Sequence, residues 1–273
     1  MWNLTCKIVL ALESSMGGQV CLHKTRSLSG AMKKNFVASL SCGKDSLAMV
    51  LRLMEEGKTL THCVFYDTGM EFQSIYHNIE KIKPILADYG CEFTILSPKQ
   101  HFLYDMLLRT VNEGTDRQHY GYEWCGGCTR WRTTNKIQAI NKYLAQLGNY
   151  VQYIGIAADE PSRVKEERNK VYPLVEWEMT EKDCLTYCYS KGWNWQENGV
   201  ELYDVLDRVS CWCCTNKNLK ELKNMYYYLP HYWNLLKALQ SRIDRAFSGR
   251  YTVFQLEERF KREGMQMSLF DYI

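Results

Sequence analysis

An α/β fold, a parallel twisted sheet with helices on both faces, is what this sequence predicts, on three observations. Short apolar, partly β-branched runs at 36–40, 62–66 and 91–96 read as buried strands. Helical segments separate them: 47–56 is closed by Gly57, and 74–89, with Ile75, Ile79, Ile82 and Leu86 at helical spacing, is closed by Gly90. Strand and helix alternating in this way require right-handed crossovers, and so parallel pairing. The first two strands also run into polar, glycine-bearing turns at 41–46 and 67–72, where such folds present ligand groups.

Bulk properties bound the rest. A chain of 273 residues, 46% hydrophobic and 24% charged, buries one sizeable core with a small accessory region. A net charge of +3 is too small to argue for a nucleic-acid partner and does not exclude one. No apolar stretch approaches the ~18–20 residues of a membrane helix, so no membrane partner is expected. Residues 8–12 are apolar but too short and wrongly flanked for a secretory signal. Twelve cysteines without such a signal point to reduced thiols, some of them on a metal, in a cytoplasmic protein. Residues 13–35 show no clear periodicity, and Met32-Lys33-Lys34-Asn35 reads as a natural start. Residues 1–31 are therefore expected to be a disordered extension or a start artefact.

The first turn carries the chemistry. A strand, a tight polar turn and a helix start leave unpaired backbone N–H groups and the positive end of a helix dipole facing one point, which suits an anion. Gly43 permits close approach, Lys44 adds a cation, and Asp45 can hold magnesium or cap the helix. Ser41 and Ser46 can donate to phosphate oxygens. Ordinary helix capping uses the same residue types, and the spacing is not that of a Walker A loop.

Ser41-Cys42-Gly43-Lys44-Asp45-Ser46 resembles the Ser-Gly-Gly-Lys-Asp-Ser PP-loop of the adenine nucleotide α-hydrolase superfamily, with Cys42 in place of the first glycine. Asp67-Thr68-Gly69, one helix and strand later, resembles the phosphoadenosine phosphosulfate (PAPS) reductase family within it. The resemblance implies an adenine nucleotide, ATP or PAPS or adenosine phosphosulfate (APS), with Asp67, Thr68 and Gly69 lining its pocket beside the loop.

Further along, 101–111 reads as a helix, 113–123 as a polar loop, a helix runs to about 147, and 150–156 is a fourth strand. The turn after it is similar to the family's Gly-Ile-x-x-x-Glu-Ser-x-Arg stretch, in which Glu160 and Arg163 match the charged positions and Pro161 displaces the serine to Ser162. By resemblance, these residues lie over the nucleotide or substrate. Lys165, Arg168 and Lys170 make a basic run, readable as a solvated loop edge or as phosphate contacts. Tyr172-Pro173-Leu174 with Trp177 also matches the family, and Thr180 is a plausible N-cap with acidic residues behind it. Residues 193–208 are aromatic and irregular, with Tyr203 where the family has a Leu-Tyr-Asp turn. The segments 219–229, 233–247 and 254–260 are helical. The organisation expected is a PAPS-reductase-like PP-loop domain at 32–220 and a helical C-terminal extension at 221–273.

Cys125-x-x-Cys128 and Cys211-x-x-Cys214 are two knuckle-like pairs roughly eighty residues apart. A tight turn aims two thiolates at one metal, and two such pairs complete a tetrahedral all-thiolate set. Glycines inside the first pair and Lys217 after the second suit a [4Fe-4S] cluster, while a structural Zn2+ explains the same residues. Cys213 is a fifth thiol that can ligate, react or pack.

Two enzymatic readings follow, and one without catalysis. In the first, ATP and Mg2+ sit on the loop, an acceptor attacks the α-phosphate, and a sulfur or nitrogen nucleophile then displaces AMP. Lys44 and Asp45 are the catalytic residues of this adenylyl transfer, and cluster-bearing relatives insert sulfur into nucleic acids this way. In the second, PAPS or APS is reduced and sulfite leaves. The family's reductases use a cysteine in a C-terminal tail; no cysteine follows Cys214 here, so Cys213 would substitute. A nucleotide-binding subunit that senses or scaffolds is the third. The acceptor, nucleic acid or small molecule, stays open, and a sulfur-donor or thiol-reductant protein is an expected partner.

Overall fold

The computed structural model describes residues 34–126 and 130–270. The extension at 1–31, and Cys128, lie outside the described residues. In chain order the strands are β1 (Asn35–Ser39), β2 (His62–Tyr66), β3 (Glu92–Leu96), β4 (Thr110–Val111), β5 (His119–Tyr120), β6 (Tyr150–Tyr153), β7 (Lys170–Val171), β8 (Gln196–Glu197) and β9 (Val200–Glu201). The helices are α1 (Lys44–Glu55), α2 (Gln73–Asp88), α3 (Phe102–Leu107), α4 (Trp131–Leu147), α5 (Pro173–Glu176), α6 (Glu181–Ser190), α7 (Leu202–Val205), α8 (Leu219–Tyr228), α9 (Pro230–Gln240) and α10 (Val253–Phe270).

Five strands form one parallel sheet in the order β3-β2-β1-β6-β7. Side chains alternate across it. Ala38, Cys63 and Phe65 enter the larger core beneath α1 and α2, while Val37, Val64 and Tyr66 pack with Ile140 and Leu144 of α4 on the other face. Helix α1 buries Leu47, Met49, Val50 and Leu53, each worth about 1.5–3 kcal/mol of transfer free energy. The chain winds outward from β1 to β3, returns, and continues outward from β6 on the other side. That reversal at β1 opens a crevice at its carboxyl end, where the 41–46 turn sits.

Several boundaries differ from the sequence expectation. The segment 101–111 stops being helical after Leu107, and Thr110–Val111 pairs antiparallel with His119–Tyr120, so the polar loop is the tip of a small hairpin. The fourth strand is shorter, and Lys170–Val171, inside the basic run, adds a fifth strand beside it. The irregular 193–208 region holds a β8-β9 hairpin and α7. The helix expected at 233–247 spans Pro230–Gln240. The C-terminal helices share the sheet's core: Trp124, next to the first cysteine pair, meets Phe247 edge-on at 4.7 Å, and its indole N–H donates to the Arg245 carbonyl.

Candidate functional site

Two adjoining cavities occupy the carboxyl end of the sheet. The smaller, about 220 Å3, is the cradle of the 41–46 turn, closed by Glu160, Arg163, Glu181, Tyr203 and Arg208. Cys42 has φ 56°, so a cysteine adopts the left-handed backbone that glycine takes freely. Its thiol is fully buried, and burial pushes its pKa up, so it packs as a small apolar side chain. Ser41 and Ser46 close the turn, their hydroxyls 2.9 Å apart, with the Ser41 N–H donating to Ser46 Oγ. Gly43 is the N-cap of α1 and makes no side-chain cap, so the helix start faces the cradle. The Lys44 N–H donates to the Tyr203 hydroxyl. Strand β6 runs into Gly155, where a β-carbon would lie 2.9 Å from Ser46 Cα, so only glycine lets this segment reach the turn.

Charges in the cradle are matched. Lys44 is buried and binds Glu181 at 2.5 Å, with Asp45 3.7 Å away. Arg208 binds Glu160 at 2.6 Å, and Arg163 binds the same carboxylate. Asp45 Oδ1 has no hydrogen-bond partner, and burial pushes its carboxyl up to about 6 against the pull of Lys44. Helix α6 places Glu181 here through a capping box between Thr180 and Asp183, as the threonine cap in the sequence implied.

The second cavity, about 440 Å3, shares Ser41, Val209 and Ser210 with the first. Cys125, Cys211, Cys213 and Cys214 line it, together with Thr68, Glu71, Arg132 and Lys136. The two cysteine segments touch: at Gly126 a β-carbon would fall 1.7 Å from Thr215 Oγ1, and the Thr215 hydroxyl donates to the Cys125 carbonyl. Backbone N–H groups of Arg132 and Thr133, at the start of α4, point at the Cys125 sulfur, although burial still raises that thiol. Burial also raises Cys211 and Cys213, whose neighbouring thiols and Glu71 add to the effect. Among the described residues no three His, Cys, Asp or Glu side chains converge as a ready-made metal site. Buried, mutually repelling thiols of this kind ionise when a cation joins them, so the donor chemistry fits a thiophilic metal.

The structure thus gathers Ser41, Gly43, Lys44, Asp45, Ser46, Glu160 and Arg163 in one cradle and Cys125, Cys211, Cys213 and Cys214 in the next cavity. Thr68 lines the thiol cavity, whereas Asp67 and Gly69 line neither. Asp67 instead accepts from the Gly69 N–H and the Tyr76 hydroxyl, holding its own turn. Sequence reasoning passed over Glu181, Arg208 and Arg132 as site residues. Glu181 had a signal, as the first helical residue after a cap. Arg132 is buried with Nε and Nη1 lacking hydrogen-bond partners, and nothing local in the sequence marks that.

Residues 35–217 match the phosphoadenosine phosphosulfate reductase domain. The chain belongs to this family. Among curated proteins, this PAPS reductase domain chain is 23% identical over 232 residues to an uncharacterized protein of Methanocaldococcus jannaschii, covering 74% of the chain and 40% of that protein. It is 26% identical over 209 residues to an uncharacterized nin region protein of Escherichia phage lambda, covering 68% of the chain and 67% of the phage protein. The chain therefore spans less than half the length of the archaeal relative. Among solved structures it is similar to the U34-tRNA thiolase NcsA from Methanococcus maripaludis with its [4Fe-4S] cluster, at 14% identity and a TM-score of 0.41, covering 84% of this chain and 72% of that one. Among the described residues no helix is long and apolar enough to cross a membrane.

Proposed function

We propose that this PAPS reductase-family chain is a PP-loop enzyme that activates an acceptor by adenylyl transfer from ATP, beside a metal centre held by Cys125, Cys128, Cys211 and Cys214. The observation that carries this reading is the wall shared by the two cavities: Ser41, Val209 and Ser210 face both the phosphate cradle and the thiols.

The open N-terminus of α1 and Lys44 would receive the β- and γ-phosphates, and a magnesium ion would answer the unpartnered Asp45 oxygen. Polyphosphate exchanges the Lys44–Glu181 pair for a Lys44–phosphate pair, releasing Glu181. An acceptor oxygen then attacks the α-phosphorus, the bond to the bridging oxygen breaks, and pyrophosphate leaves with the electron pair. A sulfide-class donor next attacks the activated carbon, forming the C–S bond as the C–O bond breaks and AMP leaves with its electron pair. Positioning and charge neutralisation supply the acceleration, since no protein nucleophile is needed. A [4Fe-4S] cluster on the four cysteines would supply a site for sulfur delivery; Zn2+ there would serve structure alone.

Reduction of PAPS or APS is the second reading, favoured by one observation: Cys213 lines the thiol cavity. Cys213 is almost wholly buried, whereas an attacking sulfur has to be presented to its substrate, so adenylation fits better. Lys44→Ala tests the proposal. Pyrophosphate release from ATP should fall at least about 100-fold, whereas unchanged release would exclude the cradle.

A further inference from the structure

A third cavity, about 520 Å3, lies outside the two just described, between α4 and the polar turn that follows β3. Helix α4 divides it from the thiols. One side of the helix gives Arg132, Thr133 and Lys136 to the thiol cavity, and the other gives Asn135, Gln138, Lys142 and Gln146 to this groove. Those four positions are spaced three and four apart, so they form one face.

The charge of the groove is one-sided. Lys99 and Lys142 are exposed, and neither forms an ion pair among the described residues. Arg109 also lines the groove, and the sole carboxylate lining it, Asp105, is buried and bound to Arg109 at 2.8 Å. Over its 17 residues α4 has Arg132, Lys136 and Lys142 and no Asp or Glu. On this side of α4, in a chain whose net charge is only +3, Lys99 and Lys142 stand unmatched beside the paired Arg109. Between the cations stand side-chain amides, Gln100 from the turn and those of α4, which both donate and accept hydrogen bonds.

We propose that this groove docks the sugar–phosphate backbone of a single-stranded RNA. Lys99, Arg109 and Lys142 take phosphates, and the amides take the 2′-hydroxyl, which donates as well as accepts and which DNA lacks. Asp105 also stands 3.8 Å from Arg132 Nη1, and Arg132 lines the thiol cavity. A strand in the groove therefore lies one ion pair away from the thiols. The relevance of this to catalysis rests on the adenylation reading, but docking itself does not.

Fluorescence anisotropy tests the docking, with the full chain, no nucleotide, and a short unstructured RNA over a series of salt concentrations. Affinity should fall linearly in log–log form, and Lys99→Gln with Lys142→Gln should flatten the slope by about 1.4, at about 0.7 per lost phosphate contact on a single strand. Lys99→Arg with Lys142→Arg should keep the slope, which separates lost charge from lost fold. DNA of the same sequence should bind more weakly. An unchanged slope in the glutamine variant, equal binding of DNA, or no RNA binding at low salt would overturn the proposal. None of these results depends on whether the chain turns over ATP.

Discussion

Lys44 and Asp45 are adjacent in sequence and opposite in fate. The lysine is buried and bound to Glu181, while the carboxylate is half-buried, its Oδ1 3.7 Å from the Lys44 ammonium and without a hydrogen bond. Asp45 has a folded pKa of about 6, above its ordinary 3.8, so the folded state holds its proton more tightly than the unfolded chain does. The sign follows: stability present at pH 4 is lost as the pH rises through 6, by on the order of 2–3 kcal/mol. Asp45→Asn, which cannot ionise, should be more stable than the parent at pH 8 without magnesium, with the gap closing below pH 5 in urea unfolding. A gap of equal size at both pH values would show that Asp45 does not ionise against its surroundings. The same variant should lose pyrophosphate release, because a site that holds a dication costs stability when empty. Cys42 shows what single residues left legible. The PP-loop pattern was readable through it, and the structure keeps the left-handed backbone that the pattern's glycine would adopt.

At the scale of elements, local signals carried furthest where capping, periodicity and glycine agreed. The first three strands, α2, and the Thr180 cap of α6 were legible for that reason. Two-residue strands such as β7, and the hairpins, were not, since so short a run has no periodicity and forms only because a neighbour offers its edge. Of the cradle's acids, Glu181 alone was missed, for a related reason: it reaches Lys44 across 137 residues. Thr180→Ala should remove the cap that holds Glu181 there, costing about 1 kcal/mol and lowering the melting temperature. An unchanged melting temperature would mean that tertiary packing alone fixes α6. Gly126→Ala is a sharper probe, because its β-carbon collides with Thr215 and pushes the two cysteine segments apart. Metal content of the purified protein should drop severalfold, and full retention would show that the segments need not touch to hold a metal.

For the whole molecule, the parallel sheet was legible because alternating apolar runs and glycine-closed helices allow few other topologies. The approach of Cys125 to the second cysteine pair was not derivable, because roughly eighty residues of chain separate them and only the folded crossover through α4 and β6 sets their distance. The structure places Cys125, Cys211 and Cys214 around one cavity, and Cys128 lies outside the described residues. That cavity and the cradle form a two-chamber site, and the account stands on the chambers working together. The direct measurement is parallel release of pyrophosphate from ATP–magnesium and of sulfite from PAPS. It uses anaerobically purified protein, with RNA as acceptor and sulfide as donor in the ATP arm, and with a thiol reductant in the PAPS arm. The account predicts pyrophosphate that depends on the acceptor, and no sulfite. Sulfite release without pyrophosphate would contradict it and would make Cys213 the nucleophile.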